Sequence, residues 1–430
     1  MNKHQQSGMT TLLITSMLLI VALLFSLASY KNLFYQIKRT QNEVLARQAH
    51  WIAEGGLECG FTEYKINKNN FTDFDECNTA ELELTLTPVT STEFHLESKV
   101  TNFLQSKKIF KNIKLGGSGK SGAMRSSADL YFYGSVSFMT PDPGNLEADG
   151  WQCVALRYRS RFYAAVIDSK GIYPGGELPF NDFDPLGNKC APNHFNIFDH
   201  DDDGIINGDF VKDSSVSPFE EIFGVEKINH NEVRDSGEFE LLTTNGFNRG
   251  NCGDLIVDIL KHPSKKERIW IEGDCEIKSS AFEDLINESE KTQGILLVFH
   301  DGLLSFMDPS LPPPPPEKAK GLKGMIVHFN YDYSIGDTSW VGLDANITLG
   351  NSSSIFPSDY LSISSYYQKG SFIFSGGQVF DSVGHSALFY GAIDFRYNKD
   401  VINSALSVFN QPRWQEGSWH DFEYQKNNRL

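Results

Sequence analysis

From Met9 to Glu54 the chain runs for 46 residues without a glycine or a proline. Nothing in that stretch breaks a helix, and an unbroken helix of that length is a rod of about 69 Å. Its first part, Met9 to Tyr30, holds 22 residues and no charge, about 33 Å of helix, which matches the hydrocarbon core of a bilayer. Lys3 and His4 make a short basic start before it. Beyond Tyr30, Phe34, Ile37, Leu45, Ala49 and Ile52 recur at helical spacing, with Lys38, Arg39, Glu43 and Arg47 between them. The membrane-type segment therefore continues as an amphipathic helix with one face to bury. Gly55-Gly56 supplies the stop expected at a helix end. A cleaved secretion signal, cut near Ser26-Leu27-Ala28, is the competing reading, but its apolar region would span only about 7–15 residues.

The remainder must fold apart from such a rod. With 430 residues, 40% of them hydrophobic and 13% aromatic, the chain has enough apolar material for two globular regions after the helix. Its formal charge of −17 repels nucleic acid and anionic lipid, so no nucleic-acid partner is expected.

Ser7-Gly8 before Met9, the uninterrupted apolar stretch and "AEGGLE" (Ala53 to Glu58) resemble the amino-terminal region of type IV pilin-like proteins, above all PilX-type minor pilins and the K-type pseudopilins of type II secretion. The resemblance covers roughly residues 5 to 60. It implies a leader of residues 1–8, cut after Gly8 by a prepilin peptidase, and methylation of the new terminus at Met9. It further implies a helix over 9–58, spanning the inner membrane at 9–30 with the head in the periplasm, and later packed beside other pilins in a filament at the cell surface. One position departs from the family. Major pilins carry a glutamate at mature position five, thought to pair with a neighbour's amine, whereas this chain has Leu13. A positive terminus buried in the filament would go unneutralised by it; K-type and PilX-type members also often lack this glutamate, so the resemblance implies a minor subunit at the tip in place of a major pilin.

Cys59, Cys77, Cys153, Cys190, Cys252 and Cys275 all follow the apolar segment, on the side an oxidising periplasm would see. Six cysteines allow 15 pairings. Sequential pairing, 59–77, 153–190 and 252–275, is expected because each bridge closes a local loop of fewer than 40 residues. "LYFYGSVSF" (Leu130 to Phe138) is rich in strand formers, Val154, Leu156 and Tyr158 alternate with Ala155 and Arg157, and "TPDPG" (Thr140 to Gly144) reads as a turn.

"DHDDDGIINGDF" (Asp199 to Phe210) is the sharpest chemical signal. Asp199, Asp201 and Asp203 stand at positions one, three and five of a calcium loop, Gly204 at six, Ile205 at the carbonyl-donating seventh, and Asn207 at nine. Clustered carboxylates repel one another unless a cation neutralises them, and Ca²⁺ takes six to eight hard oxygens. Position twelve is Phe210 in place of a glutamate, so Asp209, or Asp182 and Asp184, would complete the shell. A structural Ca²⁺ is expected there.

Other motifs carry less. "GGSGKSG" (Gly116 to Gly122) lacks the spacing of a phosphate loop, and His200 and His300-Asp301 have no second histidine at ligand spacing. No nucleophile elbow or zincin helix occurs, so no catalysis is expected. Toward the carboxyl end, Gly294, Gly302, Gly324, Gly370 and Gly391 each lead a short apolar strand, which suits a stacked, solenoid-like sheet. The proline run 312–316 reads as an exposed, extended loop. Exposed aromatics in this region would offer contact to a surface or glycan. The expected fold is α+β: a leader at 1–8, a long helix at 9–58, a mixed, disulfide-stapled head at 59–290 and a β-rich region at 291–430.

Overall fold

The computed structural model describes residues 5–67, 73–89, 93–102, 105–115, 122–134, 136–138, 142–164, 188–194, 200–201, 208–244, 246–264, 266–308, 321–351, 355–391, 393–395, 398–409, 412–415 and 417–421. Two compact units divide the chain, residues 1–114 with 412–430 and residues 115–411, so position 290 falls inside the second unit.

In the first unit a single helix, α1 (Gln5–Asn67), runs past Gly55 and Gly56. The expected stop there is wrong, and the reason lies in what the last turns face. Ala49, Ala53, Gly56, Leu57, Gly60, Glu63 and Tyr64 are buried, which is the stripe of a helix with one covered face. A sheet covers it: β1 (Leu82–Pro88), β2 (Glu93–Asn102) and β3 (Gln105–Leu115), antiparallel in turn, and then the strand Pro412–Trp414 beside β3. Leu82 lies opposite Val100, and Leu96 opposite Lys111. Leu82, Leu84, Leu96, Ser98, Val100, Ile109 and Ile113 point inward and are buried, while Glu83, Thr85 and Lys99 face out. A Cβ on Gly56 would stand 2.7 Å from Leu82 Cδ1 and from Ser98 Oγ, and one on Gly60 2.9 Å from Leu84 Cδ1. These glycines let the sheet approach the helix backbone, and that packing outweighs the roughly 1 kcal/mol that a mid-helix glycine costs. The Cys59–Cys77 bridge ties the helix to the segment before β1.

The second unit is a three-sided parallel solenoid. On one side the strands Phe210–Lys212, Leu156–Tyr158, Met124–Ser126, Gln378–Asp381, Gly324–Phe329, Ile295–His300, Arg268–Glu272 and Glu240–Thr243 pair in that order, all parallel. On the next, Phe162–Ala164, Asp129–Tyr133, Ser386–Tyr390, Ser364–Lys369, Leu304–Met307 and Cys275–Lys278 pair likewise, with His200–Asp201 antiparallel at the edge. Phe372–Phe374, Ile393–Phe395 and Val136–Phe138 make the third. Coil order in space is not chain order, because the coil at 378–395 docks beside the earlier one at 124–138.

Apolar side chains stack down the interior: Phe132 lies 4.4 Å from Phe389, Phe389 5.1 Å from Tyr366, and Tyr366 6.1 Å from Phe306, centroid to centroid. Outside the first side, Phe219, Ile222 and Phe223 of the helix Pro218–Phe223 pack with Trp270, Val298 and Phe329. Outside the second, Trp340, Leu343, Phe356 and Tyr360 pack on Tyr131, Tyr367 and Leu388. Strands covered on both faces read as unbroken apolar runs, the pattern seen after the repeated glycines. At the corners Gly134, Gly370 and Gly391 adopt φ of 149°, 124° and 137°, and a Cβ on Gly134 or Gly391 would land on the carbonyl of the glycine stacked against it. The helices Cys252–Lys261 and Ser279–Ser289 join the interior cluster through Ile256, Leu260, Phe282 and Leu285 beside the strand Cys275–Lys278. Cys252–Cys275 and Cys153–Cys190 are bridged.

A candidate assembly site on the amino-terminal helix

Among the described residues nothing covers the large apolar side chains of segment 9–30 of α1. Met9, Leu12, Leu13, Leu18, Leu24, Phe25 and Leu27 are each more than half exposed, and they point in every direction around the axis. An all-round apolar helix without a covering core belongs in lipid or among other apolar helices. Its hydroxyls suit either place. Thr15 Oγ1 donates to the Thr11 and Leu12 carbonyls at 2.9 and 3.0 Å, and Ser16 Oγ to the Leu13 carbonyl at 2.9 Å, so these groups need no water. The helix is long and apolar enough to cross a membrane.

Gly8 and Met9 lie near the start of this helix. The first acidic residue after Met9 is Glu43, 34 residues and about 51 Å further on. It faces Arg47 at 3.5 Å. No carboxylate of the apolar segment can therefore reach an amine at Met9.

A feature that sequence reasoning missed lies further along α1. Trp51, Glu54, Gly55, Leu57 and Glu58 from the helix, with Lys111 from β3 and Trp419, line a groove of about 370 Å³. The His50 ring makes edge contacts with Trp51 at 6.2 Å and Trp419 at 6.3 Å, and its Nε2 is 3.6 Å from Glu54 Oε1. Lys111 Nζ lies 3.9 Å from Glu58 Oε1 and 4.3 Å above the Trp414 ring, which stacks on Phe61. The available signal was Trp51, an aromatic off the apolar face of the helix.

Of the acidic segment, Asp199, Asp203, Ile205 and Asn207 lie outside the described residues, as do Asp182 and Asp184. Asp201 pairs with Tyr163 at a sheet edge. Asp209 is fully buried, and its carbonyl accepts from the Ala155 and Leu156 amides at 2.7 and 3.1 Å. Two strands, Gly150–Val154 and Leu156–Tyr158, meet at Ala155 where one was expected. Asp142 and Pro143 of the expected turn pair instead with Val154 and Cys153. The acidic segment is closed at its base. Gly208 N donates to the Asn193 carbonyl at 2.8 Å, and the His194 ring, held by its Nδ1 on the Cys153 carbonyl at 2.9 Å, leaves no room for a side chain at 208.

His300 is buried, its ring 4.4 Å from that of His230, with Nδ1 3.4 Å from Glu272 and Nε2 3.3 Å from Asp301. Burial, then the neighbouring His300, lowers the pKa of His230. No group of three or more metal-type ligands occurs among the described residues. The glycine-rich stretch 116–121 and the proline run 312–316 lie outside them.

No protein-family model matches the chain, and no curated protein matches it in sequence. Among solved structures, the competence-associated pilin ComZ from Thermus thermophilus is similar over 87% of this chain and 97% of that chain, at 10% identity and a TM-score of 0.24. A likeness that loose carries no argument.

Proposed function

We propose that this chain is a minor pilin-like structural subunit, non-catalytic, that assembles or primes a type IV pilus or related filament. The observation that carries the reading is the division of α1. Residues 9–30 are apolar on every side and uncovered, whereas 49–64 bury one face under a sheet. Such a helix anchors a subunit in the inner membrane with its head in the periplasm, and can later leave lipid for a bundle of like helices. A prepilin peptidase would cut after Gly8, and Met9 would become the methylated terminus.

Two further features support a position at the tip. Leu13 and the remoteness of Glu43 leave this chain unable to neutralise a buried amine, and a second unit of residues 115–411 is bulky. Both suit the tip. The closed base of the acidic segment, from Asn193 to Gly208, supports a structural Ca²⁺ held by Asp199, Asp201, Asp203, Ile205, Asn207 and Asp209. The ion would neutralise the carboxylates and fix the loop. A displayed adhesin is the second reading, favoured by the half-buried ring pair Tyr133 and Tyr390, 5.6 Å apart on adjacent coils, where a glycan could stack.

Mass spectrometry of the amino terminus from membranes, with and without the prepilin peptidase, tests the reading. A methylated Met9 that depends on the peptidase supports it, and an intact Met1 or a cut near Ala28 overturns it. Deletion separates the two roles, since losing an initiator removes filaments whereas losing an adhesin leaves filaments that do not stick.

A further inference from the structure

We propose that the groove beside Gly55 receives a lysine or arginine side chain from the amino-terminal helix of the adjacent filament subunit, an inference that rests on the pilin-like reading. Four observations lead there. Trp51 and Trp419 are 69% and 43% exposed, and two tryptophans opening on one groove form a surface suited to a cation, which is attracted to their ring faces. Glu54 and Glu58 stand one helical turn apart on the same wall, where like charges repel unless a cation lies between them. Lys111 stands 3.9 Å from Glu58 with its ammonium engaged over Trp414, and the Trp414 indole donates to Glu58 Oε2 at 3.4 Å without neutralising its charge. His50 is the basic group nearest Glu54.

The fourth observation is Gly55 itself. Gly56 and Gly60 are explained by the sheet against them, but a Cβ on Gly55 would meet nothing within 4 Å. Alanine there would favour the helix by about 0.5–1 kcal/mol. No contact among the described residues accounts for the glycine, and a bare backbone floor gives an incoming side chain depth.

The position of the groove selects the source of the cation. Gly55 is 25 residues beyond Tyr30, about 37 Å of helix past the apolar segment, so a lipid headgroup does not reach it. A neighbouring helix does. In this chain Lys31, Lys38 and Arg39 are the basic residues within ten positions of the end of the apolar segment, and Arg47 beyond them is engaged with Glu43 at 3.5 Å. A helix of the same design, parallel and displaced toward the head by 16 to 24 residues, about 24–36 Å, sets such residues opposite Gly55.

The test places a photoreactive benzoylphenylalanine at Trp419 of the full-length chain in filament-forming cells, and maps the adducts by mass spectrometry. The expected adduct lies on the amino-terminal helix of another peptidase-processed subunit, within a turn of a lysine or arginine. The pair Glu54→Gln and Glu58→Gln should reduce it about tenfold, the equivalent of about 1.4 kcal/mol. Gly55→Ala should reduce it too while raising the melting temperature of the purified chain, which a folding defect would not do. An adduct on a globular head, or one unmoved by the glutamine pair, overturns the inference. So does no adduct in cells where the Met9 terminus forms, and that result leaves the pilin-like reading standing. Absence of the Met9 terminus overturns both.

Discussion

Acid should destabilise the second unit through His328. This residue lies inside the solenoid, its ring 6.3 Å from Tyr366 and 6.4 Å from Phe380. Nε2 shares a hydrogen bond with the Gly302 carbonyl at 2.9 Å, whereas Nδ1 is buried with no hydrogen-bond partner among the described residues. Burial, with a smaller push from His385, holds its pKa down to about 4, against about 6.5 in an unfolded chain. Because the unfolded state takes up a proton that the native state refuses, the stabilising contribution is complete above about pH 6.5 and is lost as the pH falls toward 4. A difference of about 2.5 units at about 1.36 kcal/mol each gives a loss near 3 kcal/mol. His230 and His385 are lowered by burial as well, so the whole protein loses more. His328→Gln removes the titration and keeps an amide donor for Gly302. Guanidinium unfolding of the full chain in detergent, followed by tryptophan fluorescence between pH 7.5 and pH 4.5, measures both proteins. The variant should be the less stable at pH 7.5, and the gap should close by about 2–3 kcal/mol on acidification. Parallel curves would refute the reasoning.

Gly56→Val forces two methyl groups against Leu82 and Ser98 and should cost about 1–3 kcal/mol in the first unit, seen as lost hydrogen-exchange protection in β1 and β2. Phe389→Ala empties the middle of the ring stack between Phe132 and Tyr366 and should cost about 3–5 kcal/mol in chemical denaturation. Replacing Cys252 and Cys275 together by serine should cost about 2–4 kcal/mol, read as a lower melting temperature without loss of the α1 signal in circular dichroism. If the acidic segment binds Ca²⁺, chelation at a free concentration of 100 times Kd removes about 2.7 kcal/mol. Calorimetry with and without a chelator, on the chain and on Asp201→Asn, checks that shift.

The rod, the sequential cysteine pairing and the stacked strands were legible because each rests on a local pattern: absence of helix breakers, cysteine placement, glycine before an apolar run. The end of α1 was not. Gly55-Gly56 has the local signature of a stop, and only the non-local arrival of β1 and β2 shows why Gly56 and Gly60 belong inside a helix. The coil order was closed to reading as well, since nothing local says that 378–395 will pair with 124–138. The break at Ala155 depends on the Asp209 carbonyl, more than 50 residues away. The groove escaped notice because Trp419 and Trp51 are brought together only when Pro412–Trp414 completes the sheet.

That last strand sets an order of events. β3 ends at Leu115, yet its neighbour in the sheet is Pro412–Trp414, with His420–Asp421 also paired to it and the Gln415 amide bonded to the Asn112 carbonyl at 2.8 Å. A chain made from its amino end therefore presents a helix with an unfinished sheet until the entire solenoid has been synthesised. The edge of β3 stays open for that interval, a place where a chaperone strand could shelter it or a protease recognise a stalled subunit. Completion of the first unit thus waits on synthesis of the second, and a chain truncated within residues 115–411 would leave its first sheet without the last strand.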